Sequence, residues 1–146
     1  MSQFMQAALA EAEAASRRGE VPIGAVLVDD GKIIARAGNR TIEFHDPGAH
    51  AEMLVIREAC KIAGSQRLPE CDLYVTLEPC TMCTAAVSFA RIRRLYFGAI
   101  DPKGGAVESG VRFFSSLTCH HAPEVYSGIG QEASARLLRD FFSEKR

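Results

Sequence analysis

Hydrophobic positions recur along this chain at two spacings, which separate predicted helices from predicted strands. Three stretches have the spacing of an amphipathic helix, and they run from Ser2 to Arg18, from Ala51 to Ala63 and from Gln131 onward. A fourth helix, made of small residues, is predicted from Thr84 to Ala90. Short runs that end at turn-forming residues predict the strands, which are Val21 to Val28, Lys32 to Ala37, Leu73 to Leu77, Leu95 to Gly98 and Glu124 to Tyr126.

The order of these elements predicts how they pair. Asp29-Asp30-Gly31 separates the first two strands and favours a hairpin, because its turn type needs residues with positive φ. The uninterrupted apolar run from Ile23 to Val28 predicts a strand that is covered on both faces. Between residues 73 and 98, a strand, a helix and a strand form a right-handed parallel crossover, which places a site at the strand ends.

Composition is that of an ordinary soluble protein, and we expect one domain over residues 1–146. Apolar residues make up 47% and charged residues 24% of the 146 positions. No apolar run reaches the ~18 residues of a membrane span, and Glu11 and Glu13 argue against a signal peptide. A cytoplasmic protein that does not bind membranes is therefore expected.

Two short segments carry the residue types of a metal site: His-Ala-Glu at 50–52 and Pro-Cys-Thr-Met-Cys at 79–83. One imidazole and two thiols are the ligands that Zn²⁺ prefers, and three protein ligands leave one tetrahedral position to water, as in catalytic sites. The acid at 52 is better placed to move protons than to bind metal. The sequence therefore predicts one zinc ion, a catalytic Glu52 and the ligands His50, Cys80 and Cys83.

The remaining cysteines, Cys60, Cys71 and Cys119, have no metal-type spacing. They are interpreted as small apolar residues, since free cysteine is among the residue types most often buried.

The two metal segments resemble the signature of the zinc-dependent cytidine and nucleobase deaminase superfamily. Longer segments resemble its bacterial tRNA-specific adenosine deaminase branch, and these are residues 20–28, 38–40, 45–52, 73–80 and 97–99. The similarity extends from about Met5 to the C-terminus. It implies an α/β fold with three layers, α/β/α, of the cytidine-deaminase-like type, around a central mixed five-stranded sheet. It also implies a homodimer whose interface lies near the active site.

The same resemblance implies substrate contacts. Asn39 falls at the position of a base-contacting asparagine, whose amide offers the donor and acceptor that an adenine edge requires; a turn former after a strand is the alternative. Asp101 and Lys103 lie in a glycine-rich loop that borders the substrate in the family, which makes them candidate contacts to flanking nucleotides. Phe141 and Phe142 resemble a tail that helps to hold the tRNA anticodon stem-loop, since aromatic rings can stack on splayed bases.

Overall charge does not by itself indicate nucleic-acid binding, since the net charge is −1 and the pI is about 6.4. A local basic face can coexist with this balance. The alternative interpretation of each basic residue is a solvated surface charge. The residues that could form such a face are Arg91, Arg93, Arg94, Arg136, Arg139, Lys145 and Arg146. One segment departs from the tRNA branch: Ser115-Ser116-Leu117 stands where a His-His-Pro-like segment is frequent, and His120-His121 follows further on.

Three functions compete on the sequence alone. The favoured hypothesis is hydrolytic deamination of adenosine to inosine at the wobble position of a tRNA, with Glu52 moving protons and ammonia leaving. A deaminase of free guanine, cytosine or their nucleosides shares the zinc residues and suits the near-neutral pI. A non-catalytic zinc module would need a fourth protein ligand, and a Cys-x-x-Cys redox protein would have no use for His50 and Glu52.

Overall fold

The structure is a computed structural model that describes residues 1–144. Its helices are α1 (Gln3–Arg17), α2 (Ala51–Ala63), α3 (Thr81–Phe89) and α4 (Gln131–Glu144). Its strands are β1 (Gly24–Asp29), β2 (Lys32–Gly38), β3 (Cys71–Leu77), β4 (Arg94–Ala99) and β5 (Glu124–Tyr126). The predicted elements are all present, and their bounds differ by a few residues. The predicted helix from Thr84 begins earlier, at Thr81, because Cys80 is its N-cap.

The strands form one sheet in the order β2-β1-β3-β4-β5. β1 pairs antiparallel with β2 and β3, whereas β3, β4 and β5 are parallel. The mixed five-stranded sheet and the parallel β3-α3-β4 crossover are therefore confirmed. The hairpin is confirmed as well, because Asp30 and Gly31 have φ angles of 51° and 74°, as a two-residue turn of this kind requires.

Alternate residues of the central strands supply two separate cores. On one face, Ala25 and Leu27 belong to the core that α2 and α3 cover, with Val55 and Val87 among its helical members. On the other face, Val26 and Val28 pack with Met5, Ala8 and Leu9 of α1, and Leu137 of α4 lies against the same core. The sheet is thus covered by helices on both faces, which confirms the three-layer α/β/α arrangement.

All three tyrosines of the chain stand side by side on the α1 face of the sheet. The strand register places Tyr74 beside Tyr96 and Tyr96 beside Tyr126. Their rings stack, with centroids 4.3 Å apart in the first pair and 4.9 Å apart in the second. Phe4 of α1 closes the row at 5.4 Å from Tyr74, so this row of rings joins three strands to the first helix.

The segment between β4 and β5 is irregular, as its glycine content predicts, apart from a short 3-10 helix at Phe113–Ser115. Phe113 and Phe114 in this segment are apolar, yet both are only half-buried. Phe114 packs on the margin of the α2–α3 core. Within residues 1–144, no helix combines the length and the apolar composition that a membrane span needs.

Candidate metal centre and its surroundings

Two helix starts bring the predicted ligands together. His50 is the N-cap of α2 and Cys80 is the N-cap of α3, and neither side chain caps its own helix. Instead the side chains meet: Nδ1 of His50 lies 3.6 Å from Sγ of Cys80 and 3.5 Å from Sγ of Cys83. All three ligand atoms lie within 4.8 Å of one another, so these residues are positioned to bind a metal ion.

The sulfur atoms are electrostatically prepared for a cation. A hydrogen bond with Cys83 lowers the pKa of Cys80 to about 4, and contact with His50 adds to this effect. The same hydrogen bond between the two sulfur groups, together with burial, raises the pKa of Cys83, so the pair stabilises one shared negative charge. A divalent ion holds coordinating thiols as thiolates, and one imidazole with two thiolates suits tetrahedral Zn²⁺.

Glu52 lies in the first turn of α2 and is only 4% exposed. Burial raises the pKa of its carboxyl group to about 7. Its Oε1 atom is buried and has no hydrogen-bond partner among residues 1–144. Such unpartnered atoms are rare in folded proteins and frequently mark a functional group. Glu52 therefore has the properties of a general acid or base next to the metal-binding group.

The model of the cytidine and deoxycytidylate deaminase zinc-binding region matches residues 1–99, a range that includes the three ligand candidates and Glu52. The chain belongs to this deaminase family. Among the curated relatives, the tRNA-specific adenosine deaminase of Agrobacterium fabrum is 69% identical over 145 residues, which cover 99% of this chain and 95% of the relative. The enzyme of the same name from Bacillus subtilis is 48% identical over 143 residues, which cover 98% of this chain and 89% of the relative. These relatives place the deaminase in the tRNA-specific branch.

Solved structures agree with this fold. One from a study of A-to-I editing by tRNA:A34 deaminases at the wobble position is 68% identical, with a TM-score of 0.93 over 94% of this chain and 100% of that chain. A guanine deaminase from Bacillus subtilis is 34% identical, with a TM-score of 0.66 over 82% of this chain and 89% of that chain. The deaminase therefore has the cytidine-deaminase-like fold that its sequence resembles.

Asn39 is buried at the start of the loop that leads to His50. Its Oδ1 accepts a hydrogen bond of 2.8 Å from the backbone N–H of Ala51, the first residue of α2. Asn39 therefore satisfies the N–H of the first residue of α2, while the side chain of His50 is turned toward the sulfurs and caps nothing. The amide oxygen of Asn39 is thus used within the protein, whereas Nδ2 has no partner among the described residues.

The predicted substrate contacts divide into two groups. Asp101, Lys103 and Phe142 line one cleft of about 580 Å³ at the carboxyl ends of β3 and β4, the sheet edge from which the chain continues to Cys80. Phe142 is 48% exposed there, whereas Phe141 is 8% exposed and contacts Phe142 edge to face. The structure thus brings three of these residues to one opening and leaves Phe141 as a packing residue. The three contact roles remain predictions.

Two buried acids near the site escaped the sequence analysis. Glu20 accepts hydrogen bonds from the backbone N–H groups of Ile42 and Glu43, in the loop that leads to His50. Glu78 accepts five hydrogen bonds from the loop that follows β4, at residues 101–109. Each acid lies next to a strongly apolar run of the sequence, where a charged residue needs buried partners. This position was the feature of the sequence that could have indicated their roles.

Several other candidates have structural roles. Arg93 forms two hydrogen bonds of 3.0 Å with Asp72, and Arg94 pairs with Glu124, which leaves these two cations less available to RNA. Among residues 1–144, only His50, Cys80 and Cys83 form a possible metal-binding group, so the pair at 120–121 forms no second one. Lys145 and Arg146, which the sequence analysis considered for a basic face, lie outside the described residues.

Proposed function

We propose that this deaminase converts adenosine to inosine at the wobble position of a tRNA anticodon, in the cytoplasm where tRNA is found. The observation that carries the reaction type is the buried, unpartnered Oε1 of Glu52 beside the group of His50, Cys80 and Cys83. The 69% and 48% identity to tRNA-specific adenosine deaminases supports the choice of substrate.

The residues divide the chemistry between them. His50, Cys80 and Cys83 hold the zinc ion, which when bound supplies the Lewis acidity that makes water a nucleophile at neutral pH. Glu52 accepts a proton from the attacking water and delivers it to the purine ring nitrogen next to C6. The same carboxylate then takes the remaining proton of the oxygen that has been added at C6 and passes it to the amino group, which leaves C6 as ammonia. Water is consumed, one C–N bond is broken, and inosine is the product.

Substrate recognition is proposed for the residues around this centre. The Nδ2 group of Asn39 donates a hydrogen bond to the base, while its Oδ1 stays on α2. Asp101 and Lys103 meet the flanking nucleotides at the mouth of the cleft, and the exposed ring of Phe142 stacks on an unpaired base. Phe141 supports Phe142 from beneath through their edge-to-face contact.

A homodimer is also proposed, because α3, the helix that begins at the metal centre, leaves large apolar side chains exposed. Phe89 is 68% exposed and Met82 is half-exposed on this helix. Val111 and Leu117 are exposed on either side of the 3-10 helix that packs on α3. We infer that these side chains form one apolar patch, and such patches mark interaction sites. We expect sedimentation to show that Phe89→Glu is a monomer, with zinc per chain as the control for folding. An unchanged dimer would contradict this interface.

The deciding experiment measures ammonia release from an anticodon stem-loop with adenosine at the wobble position, and from free guanine, cytosine and adenosine. Turnover of the stem-loop is expected, and Glu52→Gln should lower it by about 10²–10⁴-fold. A guanine deaminase is the second candidate, favoured by the 34% identical structure from Bacillus subtilis. Turnover of guanine without turnover of the stem-loop would replace the first proposal with the second.

A further inference from the structure

Glu78 is a buried acid, 2% exposed, between the last residue of β3 and the Pro79-Cys80 turn. Its Oε1 accepts from the backbone N–H of Asp101 and from Oγ of Ser109, both at 2.9 Å. Its Oε2 accepts from the backbone N–H groups of Val107, Glu108 and Ser109 at 2.9–3.1 Å. All five donors belong to the segment 101–109, which we name the rim loop.

This arrangement compensates the charge of Glu78 without a cation. Among residues 1–144, no Lys, Arg or His forms an ion pair with it. Successive N–H groups that converge on one point form an anion-binding nest, and here the anion is a side chain of the same protein. The rim loop depends on Glu78 in turn, because its buried N–H groups need an acceptor.

The rim loop is shaped to receive this carboxylate. A Cβ atom on Gly105 would lie 2.4 Å from Cδ of Glu78 and 2.6 Å from the carbonyl oxygen of Asp101. Gly105 does not have the left-handed φ that favours glycine elsewhere in this chain. The reason for glycine at this position is therefore its close approach to Glu78 and to the backbone of Asp101 rather than backbone conformation.

Further hydrogen bonds of the rim loop extend the contacts of Glu78 in two directions, toward the metal ligand Cys80 and toward the proposed substrate contact Lys103. On the metal side, Ala106 of the rim loop donates its N–H to the carbonyl of Pro79, the residue before Cys80, at 2.9 Å. On the substrate side, Asp101 uses Oδ1 to accept from the N–H groups of Lys103 and Gly104 at 3.2 and 3.1 Å. The position of Lys103 is thus fixed relative to Cys80 through a few short hydrogen bonds.

We propose that Glu78 is a positioning residue that fixes the rim loop against the metal-bearing turn and so sets the place of the substrate contacts. The assignment of those contacts rests on the proposed function. Glu78 touches neither the reacting atoms nor the base, and its effect is transmitted through Asp101 and Lys103. Its loss is expected to weaken substrate binding more than the chemical step.

The test is Glu78→Gln, which keeps the size of the side chain and replaces one acceptor oxygen with an NH₂ group. In either orientation of the amide, this NH₂ group faces N–H donors of the rim loop. Loss of such hydrogen bonds corresponds to roughly a 5- to 150-fold fall in kcat/KM for the stem-loop. We expect this fall mainly as a higher KM. Zinc per chain should stay the same, and trypsin should cleave faster after Lys103, which is exposed. Gly105→Ala, which displaces the carboxylate from the other side, should give the same changes.

Glu108→Gln is the matched control, because it also replaces one carboxylate with an amide. The side chain of Glu108 is exposed, and only its backbone N–H bonds to Glu78, so the bonds of Glu78 stay in place. It should behave like the wild type. Wild-type KM and cleavage rates in Glu78→Gln would overturn the proposal, as would loss of zinc without faster cleavage. If Glu78→Gln does not fold, Gly105→Ala decides by the same criteria. Cleavage and zinc content need no substrate, so a wild type inactive on the stem-loop refutes only the proposed function.

Discussion

Replacement of Asn39 separates the support of a helix from the recognition of a base. Asn39→Ala removes the oxygen that caps α2 and leaves the N–H of Ala51 without its buried acceptor. Loss of a helix cap costs about 1–2 kcal/mol. For a chain of this size, that lowers the melting temperature by about 2–8 °C. Asn39→Asp keeps an acceptor in the same place, and its charge is favourable at a helix N-terminus, so its melting temperature should stay near that of the wild type.

Activity should respond differently, because both variants lack the donor Nδ2. Loss of one buried hydrogen bond to the substrate corresponds to about a 5- to 150-fold fall in kcat/KM. Thermal unfolding and ammonia release from the stem-loop are measured on the same samples, with zinc per chain as the control for the metal centre. An Asn39→Ala protein as stable as the wild type would refute the capping role, and a fully active Asn39→Asp protein would refute the base contact.

Three further predictions concern the metal centre and the cleft, two of them with a paired variant for comparison. Glu52→Gln should lower turnover by about 10²–10⁴-fold, the usual contribution of a general acid or base, without loss of zinc; retained activity would end the assignment. Cys80→Ser should bind less than one zinc per chain, whereas Cys119→Ser, at a half-buried cysteine outside the metal-binding group, should bind as the wild type does. Phe142→Ala should raise KM for the stem-loop, since a stacked base contributes about 1–3 kcal/mol, and leave stability unchanged. Phe141→Ala should instead cost up to about 3–5 kcal/mol of stability, because its ring is buried; equal effects on KM from both variants would contradict this division.

The elements and the metal-binding group were predictable because their signals are carried by residue types at fixed spacings. In β1, alternate residues enter two different cores, and a continuous apolar run is what such a strand requires. His50 and Cys80 begin two helices whose first residues follow turn-forming sequences. The residue types in these two segments are those of a zinc site, so local sequence was enough to predict that the side chains meet.

The support around the centre was not predictable, because its partners are backbone groups far along the chain. Glu78 binds N–H groups that lie 23 to 31 residues away, and any non-proline residue type can supply an N–H group. Asn39 caps α2 from a position 12 residues before Ala51, which is a consequence of how the intervening loop folds. The half-buried state of Phe113 and Phe114 likewise depends on how an irregular loop lies over α3, and hydrophobicity does not encode this.

The row of stacked tyrosines gives the protein a natural optical probe. The chain has no tryptophan, so its ultraviolet emission arises from Tyr74, Tyr96 and Tyr126, all on the sheet face opposite α2 and α3. A change in this emission during denaturation reports the separation of β3, β4 and β5, whereas zinc captured by a coloured chelator reports opening of the opposite face. Coincident curves would mean that both faces come apart in a single cooperative event. Earlier emission changes would mean that the short edge strand β5 detaches first.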